Sequence, residues 1–121
     1  MNNNPTLAVV QAYFRGWTTK DYDAAAHQLL PALVVEVPVN HYPDAAAFVQ
    51  ALTQFGNMVE HVDLLAELAS DSQAMLLYDM EVQSMGTIRV AEHFTVQGGK
   101  ITRLRQVHDT HAMRAAGLVA P

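Results

Sequence analysis

The stretch from Ala74 to Thr110 limits most strongly what this chain can fold into. It contains three segments rich in β-branched, aromatic and long apolar residues, each bounded by turn-forming residues. The three segments are 76–82, 87–96 and 100–108. Gly86 lies at the first junction, and Gly98 and Gly99 form the second. Short glycine-containing junctions between such segments predict an antiparallel meander of three strands joined by tight hairpins.

The sequence before this meander predicts mainly helices. Apolar residues recur at helical spacing in three stretches, the second ended by Pro31 and the third opened by Pro43. The predicted helices are 6–17, 22–30 and 43–56. Two further strands are predicted at 33–37 and 61–69. The second of them places four apolar residues on one face, Val62, Leu64, Ala66 and Leu68. Helices followed by antiparallel strands predict an α+β fold, in which helices cover one face of a curved, mainly antiparallel sheet.

Composition limits the possible partners. The 121 residues, half of them hydrophobic, suffice for one domain, which we predict to span 1–121. The formal net charge of -5 argues against nucleic acid or an anionic membrane as a partner, because phosphate binding needs a basic face. The chain contains no cysteine, which excludes disulfides and thiolate catalysis. It shows no signal-peptide pattern and no run of about 18 apolar residues, so we expect a cytoplasmic protein that does not enter the membrane.

Several sequence features together are typical of one superfamily. They are Val9–Tyr13, Val35–Val39, Glu92–Phe94, Gly98–Ile101 and His108-Asp109. In these features the chain resembles the nuclear transport factor 2-like superfamily, with its cystatin-like α+β cone, and within it the SnoaL-like polyketide cyclases and ketosteroid isomerases. The resemblance implies a sheet wrapped around N-terminal helices, with a pocket for a small, mainly apolar ligand and no cofactor. This fold hosts isomerases, cyclases, hydrolases, ligand binders and association domains, so it does not define one function.

The resemblance to ketosteroid isomerases implies roles for two residues but not for a third. These enzymes combine a carboxylate base with a tyrosine and a protonated acid as hydrogen-bond donors. Tyr13 matches the tyrosine, and Glu92 matches the protonated acid. The position of the base is Val37, which cannot take a proton, although Glu36 is adjacent and a shift of one residue reverses the face. Both matches also have structural interpretations: Tyr13 as a core tyrosine, and Glu92 in an ion pair or an outward-facing register.

His108 and Asp109 form a second polar pair, at the end of the last predicted strand. Asp109 matches an aspartate of limonene-epoxide hydrolase-like proteins, but the arginine of their first meander strand has no equivalent in this chain. A two-residue glycine loop would place Asp109 beside Glu92, whereas a three-residue loop with a bulge would place His108 there. We expect His108 to face the pocket, because the other register buries two arginines, and we expect Asp109 to lie close enough to orient it. An inward His108 could act as a general base while Tyr13 donates to a developing oxyanion. A half-exposed histidine at a strand end is the alternative.

Further side chains are expected to contact a ligand. They are Trp17, Phe14, Val37, His41, Tyr78, Met80, Phe94 and Gln106. His41 also fits a surface loop. The chain has six histidines, but it has no His-Glu-x-x-His spacing and no third histidine on an obvious shared face. We therefore expect no metal site.

The opposite face of the predicted sheet carries charges of both signs. They include Asp79, Glu81, Arg89, Arg103 and Arg105. A solvated face explains them, and so does a homodimer formed through the sheet, which the resemblance implies. Three functional classes remain. The first is a cofactor-free isomerase, cyclase or hydrolase that uses general acid–base chemistry on a small apolar carbonyl or epoxide compound. The others are a non-catalytic ligand-binding protein and a dimerising interaction module whose cone is filled by side chains.

Overall fold

A computed structural model describes residues 4–119 as a five-stranded sheet covered on one face by helices. The helices are α1 (Pro5–Thr18), α2 (Tyr22–His27), α3 (Ala45–Gly56) and α4 (His111–Ala115). The strands are β1 (Leu29–Glu36), β2 (Val59–Ala69), β3 (Gln73–Val82), β4 (Gly86–Gln97) and β5 (Lys100–His108). The domain predicted at 1–121 includes 1–3 and 120–121, which lie outside the described residues.

The sheet has the strand order β1-β5-β4-β3-β2. β1 pairs with β5 in parallel, and the other neighbouring strands pair antiparallel. The predicted meander corresponds to β3, β4 and β5. The prediction of an α+β fold with a curved, mainly antiparallel sheet is therefore confirmed. No helix within residues 4–119 is long and apolar enough to cross a membrane.

The second helix is shorter than its apolar pattern predicts. α2 ends before Gln28, and Leu29 already belongs to β1, where it pairs with Ile101. The backbone N–H of Ile101 donates to the carbonyl oxygen of Gln28 at 2.8 Å. Pro31 lies inside this edge strand, where the register is irregular between Leu29 and Val34 and a missing N–H is tolerated. The prediction that Pro31 ends a helix is wrong.

The side-chain alternation of β2 also differs from the prediction. Leu64 pairs with Tyr78, whereas Ala66 pairs with Leu77, so the register shifts by one residue between them. Leu64 and Ala66 are two residues apart and would share a face in a regular strand, but this irregularity places their side chains on opposite faces. Leu68 points away from the helices and is 71% exposed. The prediction that the apolar residues of this strand share one face is wrong.

α1 makes the main helical contact with the inner face of the meander. Asn4 caps the helix, because its Oδ1 accepts from the Leu7 N–H at 3.0 Å. Val10, Tyr13 and Trp17, which the spacing predicts on one side of the helix, are all buried. Full burial of a large apolar side chain contributes about 1.5–3 kcal/mol, so this face fixes the position of α1 against the sheet.

Candidate functional site

A cavity of about 230 Å³ lies between the inner face of the sheet, α1 and α3. Much of its wall is apolar and is formed by Trp17, Phe48, Leu52, Phe55, Met58 and Met80. Polar side chains from α1, β3 and β5 also reach it: Tyr13, Tyr78, Gln106 and His108. Asn40, Tyr42 and Gln54 add polar groups elsewhere on the wall. A mainly apolar cavity with convergent polar groups is typical of a small-molecule site.

The connection between β4 and β5 decides which residues of β5 face the cavity. Its two glycines have φ angles of 59° and 76°, and Val96 pairs with Ile101 across this two-residue turn. The next pair is Thr95 with Arg103, so Thr102 is an extra residue on β5. Such a bulge reverses the faces of all the residues that follow it.

This bulge combines features of the two predicted alternatives. The turn has two residues, as in the first alternative. Glu92 nevertheless pairs with Gln106, and Val90 pairs with His108, as in the second. His108 therefore lines the cavity as expected, whereas Asp109 does not.

Glu92 lies on β4, behind the cavity wall, and has no exposed surface. The Tyr78 hydroxyl donates to its Oε1 at 3.1 Å, and the Gln106 Nε2 donates to its Oε2 at 2.6 Å. Both donors line the cavity, although Glu92 itself does not. We call Tyr78, Glu92 and Gln106 the floor network. None of the salt bridges within residues 4–119 includes Glu92, so the ion-pair interpretation is wrong.

The protonation of Glu92 is finely balanced. Burial raises the pKa of its carboxyl group from 4.5 to about 7, although the hydrogen bonds from Gln106 and Tyr78 oppose this shift. The charged and neutral forms of Glu92 are therefore both populated near neutral pH. Buried carboxyl groups with such a shifted pKa are concentrated at functional sites.

The Tyr13 hydroxyl is buried at the cavity wall and has no hydrogen-bond partner within residues 4–119. Its ring packs edge-on against Phe94, with ring centroids 5.7 Å apart. Burial and, secondarily, the charge of Glu92 raise the pKa of Tyr13 well above its ordinary value, so the hydroxyl keeps its proton. A buried donor without a partner costs about 1–3 kcal/mol. An oxygen atom of a ligand in the cavity could supply that partner.

His108 is half-buried where it meets the cavity. Its Nδ1 lies 3.0 Å from the backbone carbonyl oxygen of Asp109. Because a carbonyl oxygen only accepts, Nδ1 carries the proton in this contact, and a neutral ring has its lone pair on Nε2. The Asp109 carboxylate is exposed and accepts from the His111 N–H at 2.9 Å, so it does not orient the His108 ring. No group of three or more side chains placed to hold a metal ion occurs among residues 4–119.

The structure divides the other candidate ligand contacts into two groups. Five of them line the cavity: Trp17, Val37, Tyr78, Met80 and Gln106. Phe94 is fully buried behind the lining. Phe14 packs against Tyr78, with ring centroids 5.0 Å apart, and does not reach the cavity. His41 is an exposed loop residue, in agreement with its structural interpretation. Contact of these last three residues with a ligand in the cavity is not supported.

The expected ligand contacts do not include part of the lining. The residues concerned include Phe48, Leu52 and Phe55 of α3, and Met113 and Leu118 near the C-terminus. The helical spacing in α3 does indicate an inward apolar face, and that signal could have placed its residues at the cavity. α4 has only five residues, too few for a periodic pattern to reveal which side faces the sheet.

Comparison with known proteins identifies a family and a fold. The sequence pattern of the SnoaL-like domain family matches residues 10–104. No curated protein matches the chain significantly in sequence. A solved structure from Kribbella flavida is similar, with a TM-score of 0.89 and 28% sequence identity over 96% of both chains.

Two solved enzyme structures share the fold at lower identity. A steroid delta-isomerase from Pseudomonas aeruginosa has a TM-score of 0.79 at 16% identity, covering 96% of this chain and 88% of the isomerase. An LEH-like epoxide hydrolase from M. tuberculosis has a TM-score of 0.74 at 18% identity, covering 94% of this chain and 90% of the hydrolase. The predicted nuclear transport factor 2-like, cystatin-like fold is thereby confirmed. Identities this low show the fold alone.

Proposed function

Because the chain belongs to the SnoaL-like domain family, we propose that its cavity binds a small, mainly apolar carbonyl compound, with Tyr13 donating a hydrogen bond to the carbonyl oxygen. The observation that carries this proposal is the Tyr13 hydroxyl, a buried donor at the cavity wall without a partner in residues 4–119. A ligand oxygen would remove the cost of that unpaired donor. An apolar hydrocarbon would leave the cost in place.

The size and lining of the cavity restrict the ligand further. A volume of about 230 Å³ lies below the usual range of roughly 300–1,000 Å³ for drug-sized ligands, so we expect a compound of one or two rings. The rings of Trp17, Phe48 and Phe55 offer apolar contact along its length. Such an open cavity does not favour the interaction module, which requires a cone filled by side chains.

The same site supports a cofactor-free proton transfer. His108 Nε2 would take a proton from the carbon next to the carbonyl group, and the electron pair of that C–H bond would form the C=C bond of an enolate. The carbonyl π electrons would move to the oxygen, and the Tyr13 hydroxyl would stabilise the negative charge there. In a β,γ-unsaturated ketone the electron pair extends to the γ carbon, and return of the proton from His108 to that carbon, with the carbonyl group re-formed, completes an isomerisation. Hydrolysis of an epoxide has less support, because the Asp109 carboxylate is exposed and outside the cavity.

A binding protein without catalysis is the second candidate function. Val37 lines the cavity at the position where the ketosteroid isomerases, which this chain resembles, have their carboxylate base. An apolar residue there leaves His108 as the one base that we assign to the proton transfer. If His108 does not reach the substrate carbon, the same cavity still binds the ligand.

Proton NMR of α-tetralone in heavy water separates the two functions in one sample. Saturation transfer from the protein to the ketone would demonstrate binding. Loss of the signal of the protons next to the carbonyl would demonstrate exchange with solvent, and therefore catalysis. We expect both effects, with the exchange abolished in His108→Gln and strongly reduced in Tyr13→Phe. Binding with no exchange supports the second function, and absence of binding to this ketone contradicts the proposal.

A further inference from the structure

The floor network connects a buried titratable group to donors at the cavity wall. Tyr78 lines the cavity, yet its hydroxyl proton is directed at Glu92, which lies behind the wall. The Tyr78 hydroxyl is therefore unable to donate to a ligand while Glu92 accepts from it. Tyr13 lines the same cavity and has an unpaired hydroxyl. A ligand oxygen can therefore accept from both tyrosines only when Glu92 does not accept the hydrogen bond from Tyr78.

We propose that Glu92 is a positioning residue whose protonation releases the Tyr78 hydroxyl, so that Tyr78 and Tyr13 donate together to one ligand oxygen. Protonated Oε1 of Glu92 would donate to the Tyr78 oxygen, and the Tyr78 O–H bond would turn towards the cavity. This inference rests on the proposed function, because it requires a ligand oxygen beside Tyr13. It adds that ligand binding depends on the protonation of Glu92. It also adds a preferred ligand class, namely compounds with an oxygen that only accepts hydrogen bonds.

The geometry of the floor network favours release of Tyr78 over release of Gln106. The bond from Tyr78 to Oε1 is 3.1 Å long, whereas the bond from Gln106 to Oε2 is 2.6 Å long. The longer hydrogen bond is the weaker one, so protonation of Glu92 breaks the bond from Tyr78 more easily than the bond from Gln106. The Tyr78 hydroxyl can exchange donor and acceptor roles by rotating one O–H bond. Gln106 would have to turn its whole amide group.

Burial of Glu92 among neutral groups favours this proton uptake. The titratable groups that face it are Tyr13 from α1 and Tyr78 from β3, while β5 contributes the neutral Gln106. His108 lies on the same face of β5 and lines the same cavity. Burial raises the pKa of Tyr78 and of Tyr13 well above the ordinary value, so both remain donors. The pKa of Glu92 near 7 makes the change accessible around neutral pH.

Proton uptake also suits a ligand that becomes negatively charged. An enolate oxygen beside an ionised Glu92 would place two negative charges in one buried region, which is unfavourable at low dielectric. Protonated Glu92 removes one of those charges and supplies a second donor at the same time. Where Glu92 is ionised in the free protein, above pH about 7, the site would therefore bind an enolate with uptake of up to one proton, by the general linkage between binding and protonation.

Fluorescence titration of the single tryptophan tests the inference. Trp17 lines the cavity and reports on its occupation. We would measure the Kd of α-tetralone and of tetralin, which lacks the oxygen, at about pH 5.5 and about pH 8.5, on either side of the pKa of Glu92. Neither compound ionises in this range. The preference for the ketone should be about fivefold larger at the lower pH, since one net hydrogen bond contributes about 1 kcal/mol.

Three variants test which residues cause the pH dependence of the preference for the ketone. Tyr78→Phe should lose the pH dependence and keep the smaller preference that wild type shows at high pH. Glu92→Gln, which has no proton to exchange, should give the same preference at both pH values. His108→Asn should retain the pH dependence, because the inference assigns it to Glu92 and Tyr78 and not to the histidine at the cavity wall.

The negative results have two distinct meanings. A wild-type preference for the ketone that does not change with pH overturns the inference but leaves the proposed function standing. The same holds if Tyr78→Phe or Glu92→Gln keeps the pH dependence, or if His108→Asn loses it. Failure of both compounds to bind at either pH overturns the proposed function and the inference with it.

Discussion

At the scale of single residues, Glu92 stands out because its charge is costly where it lies. Its pKa is about 7 in the folded chain and takes the ordinary value of 4.5 in the unfolded chain. Between these values the folded state binds more protons than the unfolded state, so stability falls as the pH rises from 4.5 to about 7. The full loss contributed by this group is about 3 kcal/mol. We expect urea unfolding to show most of it between about pH 5 and pH 8.

Glu92→Gln is the matched control for this pH dependence, because it keeps the size of the side chain and one acceptor oxygen for Gln106, and it carries no charge. Its free energy of unfolding should change much less than that of wild type over the same range. His93 acts in the opposite direction, since burial and the nearby Arg105 lower its pKa, and it remains in both proteins. An equal slope for the two proteins would show that Glu92 is not the group responsible.

At the scale of secondary-structure elements, the contact between α1 and α2 depends on one glycine. A Cβ added at Gly16 would lie 2.7 Å from the backbone nitrogen of Ala25. Gly16→Ala gains about 1 kcal/mol of helix propensity. The clash with backbone atoms forces the helices apart, and overpacking of this kind costs about 1–3 kcal/mol. We expect a net destabilisation of up to about 2 kcal/mol, measured by urea unfolding.

Arg15→Ala provides the comparison for this substitution. Arg15 neighbours Gly16 on the same helix but is exposed, so its replacement should change stability by less than about 0.5 kcal/mol. Stabilisation by Gly16→Ala would mean that the two helices are not packed as closely as the structure shows.

The elements also show where sequence reasoning succeeds and fails. Local patterns were sufficient for α1, α3 and the three strands of the meander, because each has a clear period and a clear stop. The prediction that Pro31 ends a helix was wrong, because a proline ends a helix in most contexts but also fits an irregular edge strand. The bulge at Thr102 has no local signal. It results from the pairing of β5 with β4 and not from a preference of threonine.

At the scale of the whole molecule, we propose that the outer face of the sheet binds a second copy of this chain. Leu68 and Val107 on this face are each 71% exposed. The face also carries both charge signs, including Asp79 and Arg89, whose Oδ1 and Nε are 2.7 Å apart. A surface with both signs can be complementary to a copy of itself across a two-fold axis.

Light scattering coupled to gel filtration tests this proposal. Wild type should have the mass of a dimer, and the double variant Leu68→Lys, Val107→Lys should have the mass of a monomer with an unchanged circular dichroism spectrum. Gln50→Lys, which adds a charge at an exposed position of α3, should remain dimeric. A monomeric wild type, or a double variant that still dimerises, would contradict the proposal.

The whole fold was predictable because many weak features agree, from the helical stripes to the glycine turns of the meander. The site was predictable only in part. Tyr13, Glu92 and His108 do converge on one region, but the sequence does not show that Glu92 lies behind the wall and acts through Tyr78 and Gln106. That arrangement depends on the register between β3, β4 and β5, which is set by the three-dimensional pairing.

The most direct test of the central claim is the ligand preference of wild type and Tyr13→Phe at about pH 8.5, where Glu92 is mostly ionised and keeps the hydrogen bond from Tyr78. Calorimetric titration would give the Kd of α-tetralone and of tetralin for both proteins. We predict that wild type binds the ketone about fivefold to tenfold more tightly than tetralin, and that Tyr13→Phe loses most of this preference while binding tetralin as well as wild type does. Equal binding of the two compounds by wild type, or an undiminished preference in Tyr13→Phe, would contradict the assignment of Tyr13 as the carbonyl donor.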